Sequence, residues 1–365
     1  MTIGHSKSRN KKNMKRIEHN RLHEYQGIYR VQYEDKKDLD KNGNPKIKFN
    51  YFDLETDKQI TNETDLERIK KLGIPPSYVD VWISKDPKSK IQSIGYDDRD
   101  RKQYRYHADH IKKATEEKFV RLYKFINAIP ILEETIEKHI NLDNYTKENT
   151  IAIMLILVKE LHFRVGKEIY ARENKSYGIS SMLKSHVKID GDTIKFKFKA
   201  KSNKIVSYTY KNKLIADELT ELMKLPGDKL FQYKNTLGNI LHVSDTDLND
   251  YIREYMGIEF TIKDFRTYAA NYLFTKNLLK ETQKRSPKNQ KVIKENIRNA
   301  SISTAIALRH TPAISKKSYV MMLLREIYES DPEYFVRNKT KDPTKVLVSI
   351  LKEFKKKLKE KNKEN

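Results

Sequence analysis

The chain has 365 residues, with 74 Lys+Arg against 50 Asp+Glu, a formal net charge of +24 and no cysteine. The missing cysteine excludes disulfides, thiolate metal sites and cysteine nucleophiles. The longest apolar run, IAIMLILV at 151–158, is too short to span a membrane, and the basic start lacks the apolar stretch of a secretory signal. So large a cationic excess favours a polyanionic partner, most commonly nucleic acid. A soluble, intracellular protein is expected.

Residues 1–24 read as a basic disordered arm. Residues 25–107 read as a small β-rich domain. GIYRVQY (27–33) and KIKFNYF (46–52) alternate on either side of the DKNGNP turn, and VDVWI and IQSIGYD flank the KDPKSK turn. Trp82 reads as core or as an anchor at the domain edge. From 108 the period becomes helical, with Ile111, Ala114, Phe119, Leu122, Tyr123 and Ile126 in register. Helices are expected to continue through 132–142 and 147–163. A β interruption follows at 186–210, with a Gly-Asp turn and the KSNK turn. Helices resume at 213–224 and at 244–256, the latter capped by Ser244 and Asp247 and ending at Gly257. The next starts at Thr261, with Asp264 in its first turn facing the helix dipole. Two more cover 288–308 and 315–329, and 336–365 reads as a basic helical tail. The fold class is α+β: a β-rich N-terminal domain, then a larger, mainly α-helical domain (108–335) with a short β-hairpin sheet.

The segment LRHTPAISKKSYV places His310 ahead of Tyr319, with a proline and two lysines between them. A tyrosine that attacks a phosphodiester needs cations, because a phenol with a pKa of about 10 is a weak nucleophile. Guanidinium groups match the charge that builds on the non-bridging oxygens, an imidazole can hold another oxygen, and a lysine can protonate the leaving oxygen. The helical domain contains Arg164 in HFRVGKEIYARENKSYG, Lys201 in FKAKSNK, and Arg266 in IKDFRTYAANYLF with Lys263 one turn earlier. Taken singly, each has a structural explanation: a core tyrosine, a histidine packing at a helix end, ion-pair arginines, an ordinary turn lysine.

Together, IPPSYVDVWI, IQSIGYD, RKQYRYH, RVGKEIYARENKSYG, KAKSNK, IKDFRTYAANY and HTPAISKKSYV resemble, in order and spacing, the motifs of the type IB DNA topoisomerases of the poxvirus, giant-virus and bacterial group. The resemblance runs from about residue 25 to 330. It implies a catalytic domain of the tyrosine-recombinase and type IB topoisomerase type. Tyr319 would form a 3′-phosphotyrosyl link, Arg164, Arg266 and His310 would stabilise the transition state, and Lys201, assisted by Lys263, would protonate the leaving 5′-hydroxyl. It implies supercoil relaxation without ATP or cofactor, by a monomer clamped around duplex DNA. The sequence holds no GxxxxGK[ST] phosphate loop, H-E-x-x-H motif or dense carboxylate cluster. Expected DNA contacts are Gln103, Tyr104, Arg105 and Tyr106 from RKQYRYH, then Lys167, Tyr170 and Asn271. Richness in Lys, Asn and Ile points to an AT-rich genome, and the resemblance to viral enzymes implies a viral source. Two positions depart from the group: Arg309 stands where glycine is usual, and Ser202 where an acid is expected after Lys201. Two alternatives stand beside this reading: a tyrosine recombinase, which would need paired sites, and a non-catalytic DNA-packaging protein, which would form no covalent adduct.

Overall fold

Strands β1 (Ile28–Leu39) and β2 (Pro45–Asp53) form an antiparallel hairpin, and β1 also pairs with β3 (Val79–Ile83). With β4 (Ile91–Tyr96) and β5 (Lys102–Tyr106), the sheet order is β2-β1-β3-β4-β5. The computed structural model describes residues 26–142, 145–337 and 342–364, so the expected basic arm lies outside the described residues. Side chains in a strand alternate between faces, and the register Ile28↔Ile83, Tyr29↔Trp82 gives the sheet two apolar faces. Tyr29, Val31, Trp82 and Ile94 pack on one. On the other, Ile28, Val81 and Ile83 pack with Ile69 of α1 (Glu63–Lys71). This helix was not expected from the sequence, although Asn62 caps it by accepting from the Thr64 and Asp65 amides. Gly27 is required for close packing, since a Cβ there would sit 2.2 Å from Trp82 Nε1. The strands around 27–33, 46–52, 79–83 and 91–96 form where the alternation predicts them.

The chain divides into two compact units, Met1–Glu117 and Lys118–Asn365. The division falls inside α2 (Ala108–Ile140). The sequence suggests two helices here, but α2 runs through Pro130 unbroken. An interior proline costs a helix about 3 kcal/mol. Leu132, Ile136 and Ile140 continue the stripe begun by Phe119, Leu122 and Phe125, and each buried apolar side chain is worth about 1.5–3 kcal/mol, which offsets that cost.

In the second unit, α3 (Lys147–Leu161) is buried almost all round, as IAIMLILV requires. It is followed by α4 (Glu168–Asn174) and the antiparallel sheet β6 (Val187–Asp190), β7 (Thr193–Ala200), β8 (Lys204–Lys211). Helix α5 (Lys213–Lys224), the hairpin β9 (Gln232–Lys234) and β10 (Ile240–His242), and α6 (Asp245–Met256) complete one core around α3. Helix α7 (Ile262–Lys284) links it to a second core built with α8 (Gln290–Ala307). The expected helix 315–329 is broken. After the single turn α9 (Pro312–Ile314), residues Ser315–Tyr319 form a π-turn, Val320 and Met321 are extended, and α10 (Met322–Ser330) follows. After α11 (Tyr334–Arg337), the segment set apart as a tail forms α12 (Pro343–Glu364). Its Val346, Leu347, Ile350 and Leu351 are buried in the second core beside Phe274 and Tyr328. Among the described residues, no helix is long and apolar enough to cross a membrane.

Candidate active site

Thr261 and Asp264 form a capping box that starts α7, and Asp264 also receives both donors of the Arg121 fork. Arg266, two residues on, is only 7% exposed. Its Nη1 donates to the His162 carbonyl at 2.7 Å and its Nη2 to the Leu308 carbonyl. These carbonyls close two helices: His162 is the left-handed cap of α3, and Leu308 ends α8. Helix C-termini carry partial negative charge, so they hold the buried guanidinium without a carboxylate and leave its full charge available. Burial, then the neighbouring Arg164, lower its pKa from the usual 12.5 to about 10. It remains a cation at neutral pH.

Arg164 lies in the loop after α3. Gly166 (φ +77°) and Gly178 pack back to back there, and a Cβ on Gly178 would sit 2.5 Å from the Arg164 carbonyl. Ile179 N donates to that carbonyl and Ser180 N to the Val165 carbonyl, each at 2.8 Å. The pairing fixes the backbone that carries Arg164. Its charge, like that of Arg266, acts on His310, whose pKa is lowered to about 4, mainly by burial. The imidazole is therefore neutral at physiological pH.

The His310 and Tyr319 rings stack at 5.2 Å with 19° between planes. Arg266 Cζ lies 5.5 Å from the Tyr319 ring centroid, within cation–π range. Asn271, fully buried, clamps this segment: its Nδ2 donates to the Tyr319 carbonyl at 3.1 Å and its Oδ1 accepts from Met321 N at 2.9 Å. The wide π-turn, closed by Val320 N donating to the Ser315 carbonyl, brings the Tyr319 ring within reach of both the imidazole and the guanidinium. Both ring nitrogens of His310 and Arg266 Nε are buried without a hydrogen-bond partner among the described residues. Buried polar atoms are nearly always paired. A neutral imidazole carries a single N–H, so His310 and Arg266 Nε leave two unpaired donors beside one phenol, and these mark a place for an acceptor from outside the chain.

Lys201 is separate from this cluster in its surroundings. It is exposed at the turn joining β7 and β8, where Ser202 (φ 66°) and Asn203 (φ 59°) are left-handed. Lys204, at the first pair of the ladder, adds its charge to those acting on His310. Lys263 is exposed in the first turn of α7.

Residues 106–333 match the profile of the eukaryotic DNA topoisomerase I catalytic core, and residues 48–97 match that of the bacterial DNA topoisomerase IB N-terminal domain. The chain is 49% identical over 338 residues to DNA topoisomerase 1B of Acanthamoeba polyphaga mimivirus, covering 92% of this chain and 97% of that protein. The chain belongs to the type IB DNA topoisomerases. DNA topoisomerase 1B of vaccinia virus (strain Copenhagen) is 27% identical over 283 residues, 75% of this chain and 85% of that one. Likeness to a solved XerH site-specific recombinase bound to difH is shallow (TM-score 0.31, 14% identity, 65% of this chain and 58% of that one).

Within this type IB topoisomerase, the expected DNA contacts divide. On β5, Tyr104 and Tyr106 are each 40% exposed and stack at 5.8 Å, with Lys102 Nζ over the Tyr104 ring. Gln103 and Arg105 point to the other face, where Gln103 donates to Asp97 and Arg105 to the Gly73 carbonyl. Lys167 and Tyr170 are exposed at and within α4. Asn271 cannot touch DNA directly, because it is buried and its amide is engaged behind Tyr319. The reading from sequence missed Tyr208, whose ring packs at 4.7 Å from Phe163. Burial pushes its hydroxyl pKa up, while Arg266, Arg309 and Arg164 pull it back. Nothing in its spacing marks it, since it is one of 22 tyrosines.

Proposed function

We propose that Tyr319 is the nucleophile of this topoisomerase and that Arg164, Arg266 and His310 bind the phosphate it attacks. The Tyr319 oxygen bonds to phosphorus, the bond from phosphorus to the 5′-oxygen breaks, and a 3′-phosphotyrosyl link replaces it. The phenol gives its proton to solvent water, and Lys201 gives one to the departing 5′-oxygen, with Lys263 assisting. The nicked strand rotates, the 5′-hydroxyl attacks the phosphotyrosine, and the backbone is resealed. One phosphodiester exchanges for another, so no nucleotide hydrolysis is required, and the cationic side chains at the phosphate would do the charge neutralisation a metal could otherwise supply. Arg266, Arg164 and a neutral His310 supply donors preorganised for the charge of the five-coordinate state.

The observation that carries this reading is the two unpaired buried donors, Arg266 Nε–H and the single N–H of the neutral His310, beside the Tyr319 ring. The exposed face of Lys102, Tyr104 and Tyr106, together with Lys167 and Tyr170, supports a duplex contacted by both units of a monomer. Plasmid relaxation should proceed with chelator and without ATP, and on a plasmid lacking repeats. Strict dependence on a nucleotide, a metal or paired sites would overturn the proposal. A steep fall in affinity with salt is expected from phosphate neutralisation.

A further inference from the structure

We propose that Arg309 is a positioning residue that ties the hairpin bearing Lys201 to the segment bearing His310 and Tyr319, and so governs proton delivery to the leaving oxygen. The proposal rests on the reading of Lys201 as general acid. Arg309 has φ 53°, a left-handed conformation that suits glycine better than arginine. A left-handed arginine persists where surrounding contacts hold it. Its Nη2 donates to the Ser207 carbonyl at 3.2 Å, across 102 residues of sequence, and its Cζ lies 5.2 Å from the Tyr208 ring centroid.

Both contacts are to β8. Ser207 pairs with Lys197 and Tyr208 with Phe196, and the ladder continues through Val206–Phe198 and Ile205–Lys199 to Lys204–Ala200, which the Lys201 turn closes. An antiparallel ladder holds its register, so fixing Ser207 and Tyr208 limits where the turn can point. At its other end Arg309 is anchored by its own backbone: its amide donates to the Ile306 carbonyl at 3.1 Å, and the next amide, of His310, donates to Ala305 at 3.0 Å. One side chain thus joins the end of α8 to the hairpin. Without it, His310 and Tyr319 keep their contacts with Arg266 and Asn271, which do not involve Arg309. The loss therefore falls first on the hairpin that carries Lys201, while the contacts that hold Arg266, His310 and Tyr319 stay in place.

The test uses the full-length enzyme in single-turnover cleavage at saturating duplex, on two substrates that differ at the bridging 5′ atom of the scissile phosphate. One carries oxygen. The other carries sulfur, which leaves as a thiolate and needs no proton. Arg309→Gly accommodates the left-handed backbone, so misfolding does not confuse the result. It is expected to slow cleavage of the oxygen substrate roughly 10-fold or more, as misplacement of a reacting group does, and to cleave the sulfur substrate near the wild-type rate. Lys201→Ala, run in parallel, should show a larger loss and the same rescue. If Lys201→Ala is rescued but Arg309→Gly is slowed equally on both substrates, or on neither, the Arg309 assignment is wrong. If Lys201→Ala is not rescued by sulfur, Lys201 is not the acid and the proposal falls with it.

Discussion

Two parts of the second unit differ in how they hold charge. Arg266 is buried, held by carbonyls of two helix ends, and faces a histidine and a tyrosine whose backbone is clamped by a buried asparagine. Lys201 sits exposed on a hairpin turn with two left-handed residues beside it. The difference matches the tasks proposed for them. Groups that stabilise a transition state work best when fixed and dehydrated, so that nothing reorganises during reaction. A proton donor must approach the leaving oxygen and recover its proton from water, so it is better placed at the surface.

Replacing Tyr319 by Phe tests the buried cluster most severely. Covalent adducts should disappear while duplex affinity stays within about twofold, since one hydroxyl adds little to a contact dominated by phosphates; an adduct trapped with this variant would remove the nucleophile assignment. Arg266→Lys keeps the charge but loses the planar fork that bridges two carbonyls. Cleavage should fall by about 10²–10³-fold, the usual cost of losing one preorganised donor, with rapid-quench kinetics as the measure. Lys201→Ala should also slow cleavage, by about 10²-fold or more, yet leave the melting temperature unchanged because the side chain is exposed. A clear drop in melting temperature would erase the contrast between the two regions.

Asn271→Ala sharpens the comparison from the buried side. Each backbone group it abandons costs about 1–3 kcal/mol if left unpaired. Lower thermal stability and slower cleavage are expected, with unchanged DNA affinity in a filter-binding titration. A selective loss of affinity would restore Asn271 as a DNA contact.

The smallest effect concerns pH. His310 and His162 are both pushed down to about 4, chiefly by burial. In the unfolded chain each returns to its usual value of about 6.5. Between those values the unfolded chain binds protons that the folded one refuses, so their contribution is full above about 6.5 and is lost as pH falls toward 4. The urea midpoint should drop from about pH 7 to about pH 5, and less so in His310→Gln. An equal drop in that variant would mean that His310 does not titrate as its burial requires.

Local pattern alone determined a good deal. Alternation set the strands of the first unit, the IAIMLILV run set the central helix, and Thr261 and Ser244 set two helix starts, because these follow from side-chain periodicity and capping within a few residues. The motifs also singled out Arg164, Lys201, Arg266, His310 and Tyr319, of which the fold packs Arg266, His310 and Tyr319 against one another. What only the tertiary structure decided depends on partners far along the chain. Asn271 turned from an expected DNA contact into a support behind Tyr319, because its amide meets backbone some 50 residues away. Gln103 and Arg105 turned inward because Asp97 and Gly73 lie behind β5. The helix expected at 315–329 opened into a π-turn and two extended residues, and α12 joined the core because its apolar stripe meets Phe274 and Tyr328. Periodicity states which face of an element is apolar; only the assembled chain states what that face, or a polar side chain beside it, will meet.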